Sequence, residues 1–231
     1  MFAEMNRILP PARHGSVEIE HIEFGQELSK VSAISAVIEN NPEEYCPPGV
    51  VTVLRINGQT YMSDSEMEKT TNERFINAAR GRVLIAGLGI GLVLTALLRK
   101  VLAGEVESVT VLESNPDVIE LVAPVFAAFP KLKIIRADVF EWEPEAGEMF
   151  DTIYFDIWPD RSPDNLPAMR ALHNRYRRFR APGAWVDSWY REEIRGHLRE
   201  RREFNKIKGV LREMLGAIQG SFVCVRVAED E

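Results

Sequence analysis

The stretch Gly81-Arg-Val-Leu-Ile-Ala-Gly-Leu-Gly-Ile-Gly-Leu-Val-Leu94 decides the fold. Val83 to Ala86 is a short apolar run, Gly87, Gly89 and Gly91 form a turn, and the apolar segment Leu92 to Leu102 follows at once. That order predicts a strand, a tight turn and a helix. Glycines let the backbone take positive φ and let a ligand approach the main chain. The helix N-terminus presents free N–H groups and the positive end of its dipole. A second apolar run, Val109 to Leu112, ends in Glu113. A carboxylate at that strand tip can accept hydrogen bonds from both hydroxyls of a ribose. Turn, helix and acid together point to an adenosine-containing ligand.

Outward from this unit, strands and helices alternate. Strands are expected at 82–86, 108–113, 132–137, 151–156 and 184–188, and helices at 90–103, 116–128, 164–180 and 190–216. Asn115-Pro116 reads as a cap followed by proline at the first helical position, and Pro124 predicts a kink or an early end. A last strand is expected from Ser221 to Val227. The alternation, with its runs of Val, Ile and Leu, predicts an α/β fold with a doubly wound, mostly parallel sheet. Ahead of it, residues 1–16 read as a loose arm, Val17 to Phe24 as a strand and Glu27 to Glu39 as a helix. Val50 to Ile56, Asn57-Gly58 and Gln59 to Met62 read as a β-hairpin. Ser63-x-x-Glu66 fits a capping box that opens a helix to about Arg80. The expected division is a cap over 1–62 and a ligand-binding domain over 63–231.

The 231 residues suffice for a sizeable core, and 45% apolar with 27% charged is ordinary for a globular protein. No run of about 18 apolar residues predicts a membrane span, and the N-terminus lacks the apolar core of a secretory signal. Two cysteines, Cys46 and Cys224, form no metal or disulfide pattern, so a cytoplasmic location is expected. His14, His21 and His197 form no metal-ligand spacing. The net charge is −7, yet Arg170 to Arg212 holds 13 Lys/Arg against five Asp/Glu. A nucleic-acid partner would use such a cluster, whereas a solvated helix face with Arg–Glu pairs is the plainer reading.

In an open α/β sheet, ligands sit beyond the carboxyl ends of the strands. There lie Gly87 to Gly91, Glu113 with Ser114, Asp138 with Val139, and Asp156 within Phe155-Asp-Ile-Trp-Pro-Asp160. A carboxylate at Asp138 can accept from an exocyclic adenine amine. Tyr154 and Trp158 are aromatics able to hold a cationic centre, and Asp156 can orient or deprotonate a nucleophile. For these three, packing and loop-tying are the bland alternatives. His173, on an expected surface helix, reads as a solvated histidine. Ser188-Trp189-Tyr190 is placed to line an acceptor pocket or to pack.

The chain resembles the class I S-adenosylmethionine-dependent methyltransferases, with a Rossmann-like sheet, and within them the branch containing spermidine synthase. The likeness runs from about Asn57 to Trp189. Gly87, Gly89 and Gly91 match the family's first motif, Glu113 its ribose acid, Asp138 and Val139 its adenine side, and Asp156 its acid after the fourth strand. Asn57-Gly-Gln59 and Glu66-Met67 resemble segments that close over the cofactor, with Gln59 as the matching contact. The resemblance implies S-adenosylmethionine as cofactor, a small-molecule acceptor and a homodimer. Ile90 replaces the turn aspartate of the polyamine enzymes, Asp64 their tyrosine, and the loop after Asp156 differs. Methyl transfer to an amine or hydroxyl is therefore expected ahead of aminopropyl transfer. A nicotinamide dehydrogenase is disfavoured by the single residue between Gly89 and Gly91.

Overall fold

The computed structural model describes residues 2–38 and 45–226, with side chains up to residue 208. A first compact unit runs to Trp189 and a second begins at Tyr190. The first contains two sheets. Strands β1 (Ala12–His14), β2 (Val17–Phe24), β3 (Gly49–Ile56) and β4 (Gln59–Ser63) form an antiparallel sheet in chain order. The β3–β4 hairpin turns at Asn57-Gly58, both at positive φ as a two-residue turn requires. Helix α1 (Gln26–Ile38) follows β2. Residues 39 and 42, the expected end of that helix and the proline after it, lie outside the described residues.

The second sheet is wholly parallel. Its strands are β5 (Gly81–Ala86), β6 (Val106–Glu113), β7 (Leu132–Arg136), β8 (Phe150–Phe155) and β9 (Arg180–Ser188), in the order β7-β6-β5-β8-β9. Helices α2 (Glu66–Ala78), α3 (Leu92–Leu102), α4 (Pro116–Val122) and α5 (Leu166–Arg175) accompany it. This is the doubly wound Rossmann-like α/β fold. The order of strand addition reverses between β5 and β8, which makes their carboxyl ends the switch point. Val83 to Ala86 on β5 are fully buried, as a strand covered on both faces demands. Period-two alternation sorts β8 between its two covering helices. Tyr154 stacks on Phe75 of α2, with centroids 4.2 Å apart, while Phe155 meets Tyr176 just after α5.

Several local expectations are corrected. The expected 1–16 arm is not loose over its described residues, 2–16: Met5 and Leu9 are buried, β1 pairs with β2, and a 3-10 turn spans Met5–Arg7. Its partners are distant in sequence, since the Met5 N–H donates to Asp64 and the Leu9 carbonyl lies 2.9 Å from His21 Nε2. The cap of α2 is Ser65, whose hydroxyl accepts from the Glu68 N–H, not Ser63. Asn115 does cap α4, and Pro124 ends it in a 3-10 turn at Ala123–Phe126. The expected 164–180 helix is shorter, because 3-10 turns flank α5 and Arg180 already starts β9. Pro182 falls within β9, which tolerates it as an edge strand.

The second unit holds helix α6 (Arg191–Arg226). Residues 221–226, expected as a closing strand, are helical; Val227 lies outside the described residues. A short apolar run carries no period that separates strand from helix. Along α6, Arg195 pairs with Glu192 and Lys206 with Glu203, each one turn apart, as the solvated-face reading of the basic cluster expects. Among the described residues no helix is long and apolar enough to cross a membrane.

Candidate functional site

A cavity of about 380 Å³ opens at the switch point, between the carboxyl ends of β5, β6, β7 and β8 and the β3–β4 hairpin. Its floor is the glycine turn. At Gly87 φ is +99°, and a β-carbon there would collide with the Asp156 carbonyl oxygen. Only glycine lets the turn and the end of β8 approach so closely. Gly91, at φ +76°, is the N-cap of α3, and a β-carbon there would strike the Phe126 ring. Gly91 thus shapes the turn without lining the cavity, whereas Gly87 and Gly89 line it. Over Gly89 lies Met62 of β4, whose sulfur accepts the Ile90 N–H at 3.3 Å. The Ile90 side chain itself is fully buried.

Glu113 faces the cavity from the end of β6 and holds the turn in place. Its two oxygens accept the Leu88 N–H at 2.9 Å and the Asn115 N–H at 2.8 Å. Ser114, Asp138 and Val139 line the same wall. Asp138 is exposed and accepts the Phe140 N–H at 2.8 Å, while the Val139 carbonyl accepts from the buried Tyr176 hydroxyl at 2.9 Å. Asp156 and Trp158 form the opposite wall, together with Trp189. Burial pushes the Asp156 carboxyl up from 3.8 to about 7.

Two expected site residues stand elsewhere. Tyr154 is buried outside the lining, its hydroxyl donating to Asn72 Oδ1 at 3.0 Å and its ring stacked on Phe75. The strand's alternation turns it toward α2, whereas Asp156, just past the strand's end, reaches the cavity. Gln59, at the start of β4, is exposed and not part of the lining. His173 is half-buried rather than solvated, with Nε2 3.0 Å from the Ser188 hydroxyl. Of Ser188-Trp189, Trp189 lines the cavity and donates from Nε1 to Thr71.

Sequence reasoning missed Glu68. It sits on the first turn of α2, 7% exposed, and lines the cavity. Its pKa is pushed from 4.5 to about 8, first by burial and then by the nearby Asp156 carboxylate. The Ser63 main-chain N–H and the Arg161 charge act in the opposite direction. The signal was present as Ser65-x-x-Glu68, two residues along from the box read at Ser63. Among the described residues no group of three or more His, Cys, Asp or Glu side chains is placed to hold a metal ion.

The residues present fit an adenosyl group. The turn offers main chain to a close-lying ligand, the Glu113 and Asp138 carboxyls line the wall beside it, and the volume is of ligand size. No protein-family model matches the chain, and no curated protein matches it. Among solved structures it is similar to DhpI in complex with SAH, at 24% identity over 53% of this chain and 52% of that one, with a TM-score of 0.36. It is also similar to the N-methyltransferase NodS from Bradyrhizobium japonicum WM9, at 17% identity over 53% and 65%, TM-score 0.40. A third is the CcbJ methyltransferase from Streptomyces caelestis, at 17% over 51% and 47%, TM-score 0.39. The chain thus spans about half the length of DhpI and of CcbJ.

Proposed function

We propose that the chain binds S-adenosylmethionine and transfers its methyl group to a small-molecule amine or hydroxyl. The observation that carries this reading is the convergence of the Gly87–Gly89 main chain, Glu113, Asp138 and Asp156 on one cavity at the switch point. Bound there, the cofactor supplies a methyl group on a cationic sulfonium.

The chain's own residues do the rest. Glu113 takes the ribose hydroxyls, and Asp138 and Val139 take the adenine side. Trp158 offers an aromatic face to positive charge. Asp156, with its raised pKa, exchanges a proton with the acceptor near neutral pH. Most of the rate comes from alignment, since the wall bearing Asp156 and Trp158 holds the acceptor across from the ribose side. Aminopropyl transfer is disfavoured because Ile90 presents a buried apolar side chain where an acid would be needed.

Calorimetry with S-adenosylmethionine, its decarboxylated form and NAD tests the reading. Tight binding of the first is expected, preference for the second would favour aminopropyl transfer, and binding of NAD alone would sink the proposal. The Asp156→Ala variant should retain cofactor affinity within about threefold and lose turnover by roughly 10²–10⁴. Full activity in that variant would remove Asp156 from the mechanism.

A further inference from the structure

We propose that Glu68 and Asp156 act as one proton-sharing pair of carboxyls that receives the acceptor as an ammonium group and removes its proton, which makes amines the substrate class. The inference rests on the methyl-transfer reading above. Glu68 comes from α2 and Asp156 from the end of β8, so two separate elements deliver carboxyls to one cavity. Glu68 is 7% exposed and still lines that cavity. Helix α2 supplies no cation to it, since Lys69 pairs with Glu66 at 2.8 Å and Arg74 with Asp187 at 3.3 Å.

The groups that act on Glu68 are Asp156, the Ser63 N–H and the Arg161 charge in the loop after β8. Two neighbouring carboxyls in a water-poor wall do not both ionise easily, so near neutral pH they hold one proton and one negative charge. The aromatic surroundings suit a cation as well. Trp158 and Trp189 line the same cavity, and Trp189 is held by its Nε1–H donating at 3.0 Å to Thr71, one turn along α2 from Glu68.

The step balances. The ammonium N–H bond breaks, its electron pair stays on nitrogen, and the proton forms an O–H bond on the carboxyl pair. The freed nitrogen pair attacks the methyl carbon, and the electrons of the broken carbon–sulfur bond remain on sulfur. The product leaves as a methylated ammonium, and the extra proton passes from the pair to water. A neutral alcohol brings no charge to such a pair and gains nothing from it.

The test is calorimetry on the full chain with shape-matched probes: phenethylamine against 2-phenylethanol, and butylamine against 1-butanol, over pH 6 to 8.5. At least one amine should bind about tenfold or more tightly than its alcohol, with affinity rising from pH 6 to 8 as the pair gains its charge and the alcohols staying flat. Asp156→Asn should reduce amine affinity roughly tenfold and flatten the rise between pH 6 and 7.5, Glu68→Gln should remove the further rise above that range, and both should leave S-adenosylhomocysteine affinity within about threefold. Equal binding of alcohol and amine, no amine binding, or an unaltered pH profile in Glu68→Gln overturns the proposal. A chain that shows the amine behaviour but binds no S-adenosyl compound keeps the carboxyl pair and sinks methyl transfer.

Discussion

At the scale of single residues, Gly87 and Glu113 each hold the turn together and line the cavity. Gly87 was legible because three glycines between a strand and a helix mark a turn that side chains would obstruct. What the sequence could not show is the reason for that position, the Asp156 carbonyl lying where a side chain would begin. Gly87→Ala should therefore lower unfolding free energy by about 1–3 kcal/mol through backbone strain and also weaken S-adenosylmethionine binding. Urea titration and calorimetry check the two effects separately. A variant as stable as the parent would mean that the turn yields freely. Glu113 was legible as an acid at a strand tip facing the cavity, but its tie to the Leu88 and Asn115 N–H groups is a tertiary fact with no local signal.

At the scale of elements, α2 shows how a small register error hides a site residue. Ser63 and Ser65 both precede a glutamate by three, and propensity does not rank the two frames. The chain takes the second, placing Glu68 on the inner face beside Asn72 and Phe75. Tyr154 is the converse case: its aromatic ring suggested a hold on a cationic centre, whereas the side chain packs on Phe75 and donates to Asn72, outside the lining. Burying Glu68 has a pH consequence. The folded chain holds its proton up to about pH 8, whereas the unfolded chain loses it near 4.5, and Asp156 behaves likewise between 3.8 and about 7. Through that window the native state binds more protons, so stability falls as pH rises. Glu68→Gln should remove its share, on the order of a few kcal/mol between pH 4.5 and 8.5. Urea midpoints across that range, for parent and variant, measure it; parallel slopes would show that Glu68 ionises freely in the folded chain.

At the scale of the molecule, alternation alone disclosed the parallel sheet, because buried β-branched runs and amphipathic helices repeat in strict order. The antiparallel sheet was legible only at its hairpin and at β2. The arm ahead of it is fastened to β3 through Asp64, a buried side chain that accepts the Met5 N–H at 3.1 Å and the Thr52 N–H at 2.6 Å. Asp64→Ala should cost on the order of 3 kcal/mol by stranding two buried donors, lowering Tm by roughly 5–10 °C. Scanning calorimetry reads this directly, and an unchanged Tm would leave the arm without a fastening role. The same sheet carries Met62 onto the glycine turn of the other, its sulfur taking the Ile90 N–H. A ligand that needs the main chain at Gly89 must compete with a tethered thioether, whose effective molarity is set by the hairpin rather than by the solution. A sulfonium cofactor entering there would exchange one sulfur compound for another.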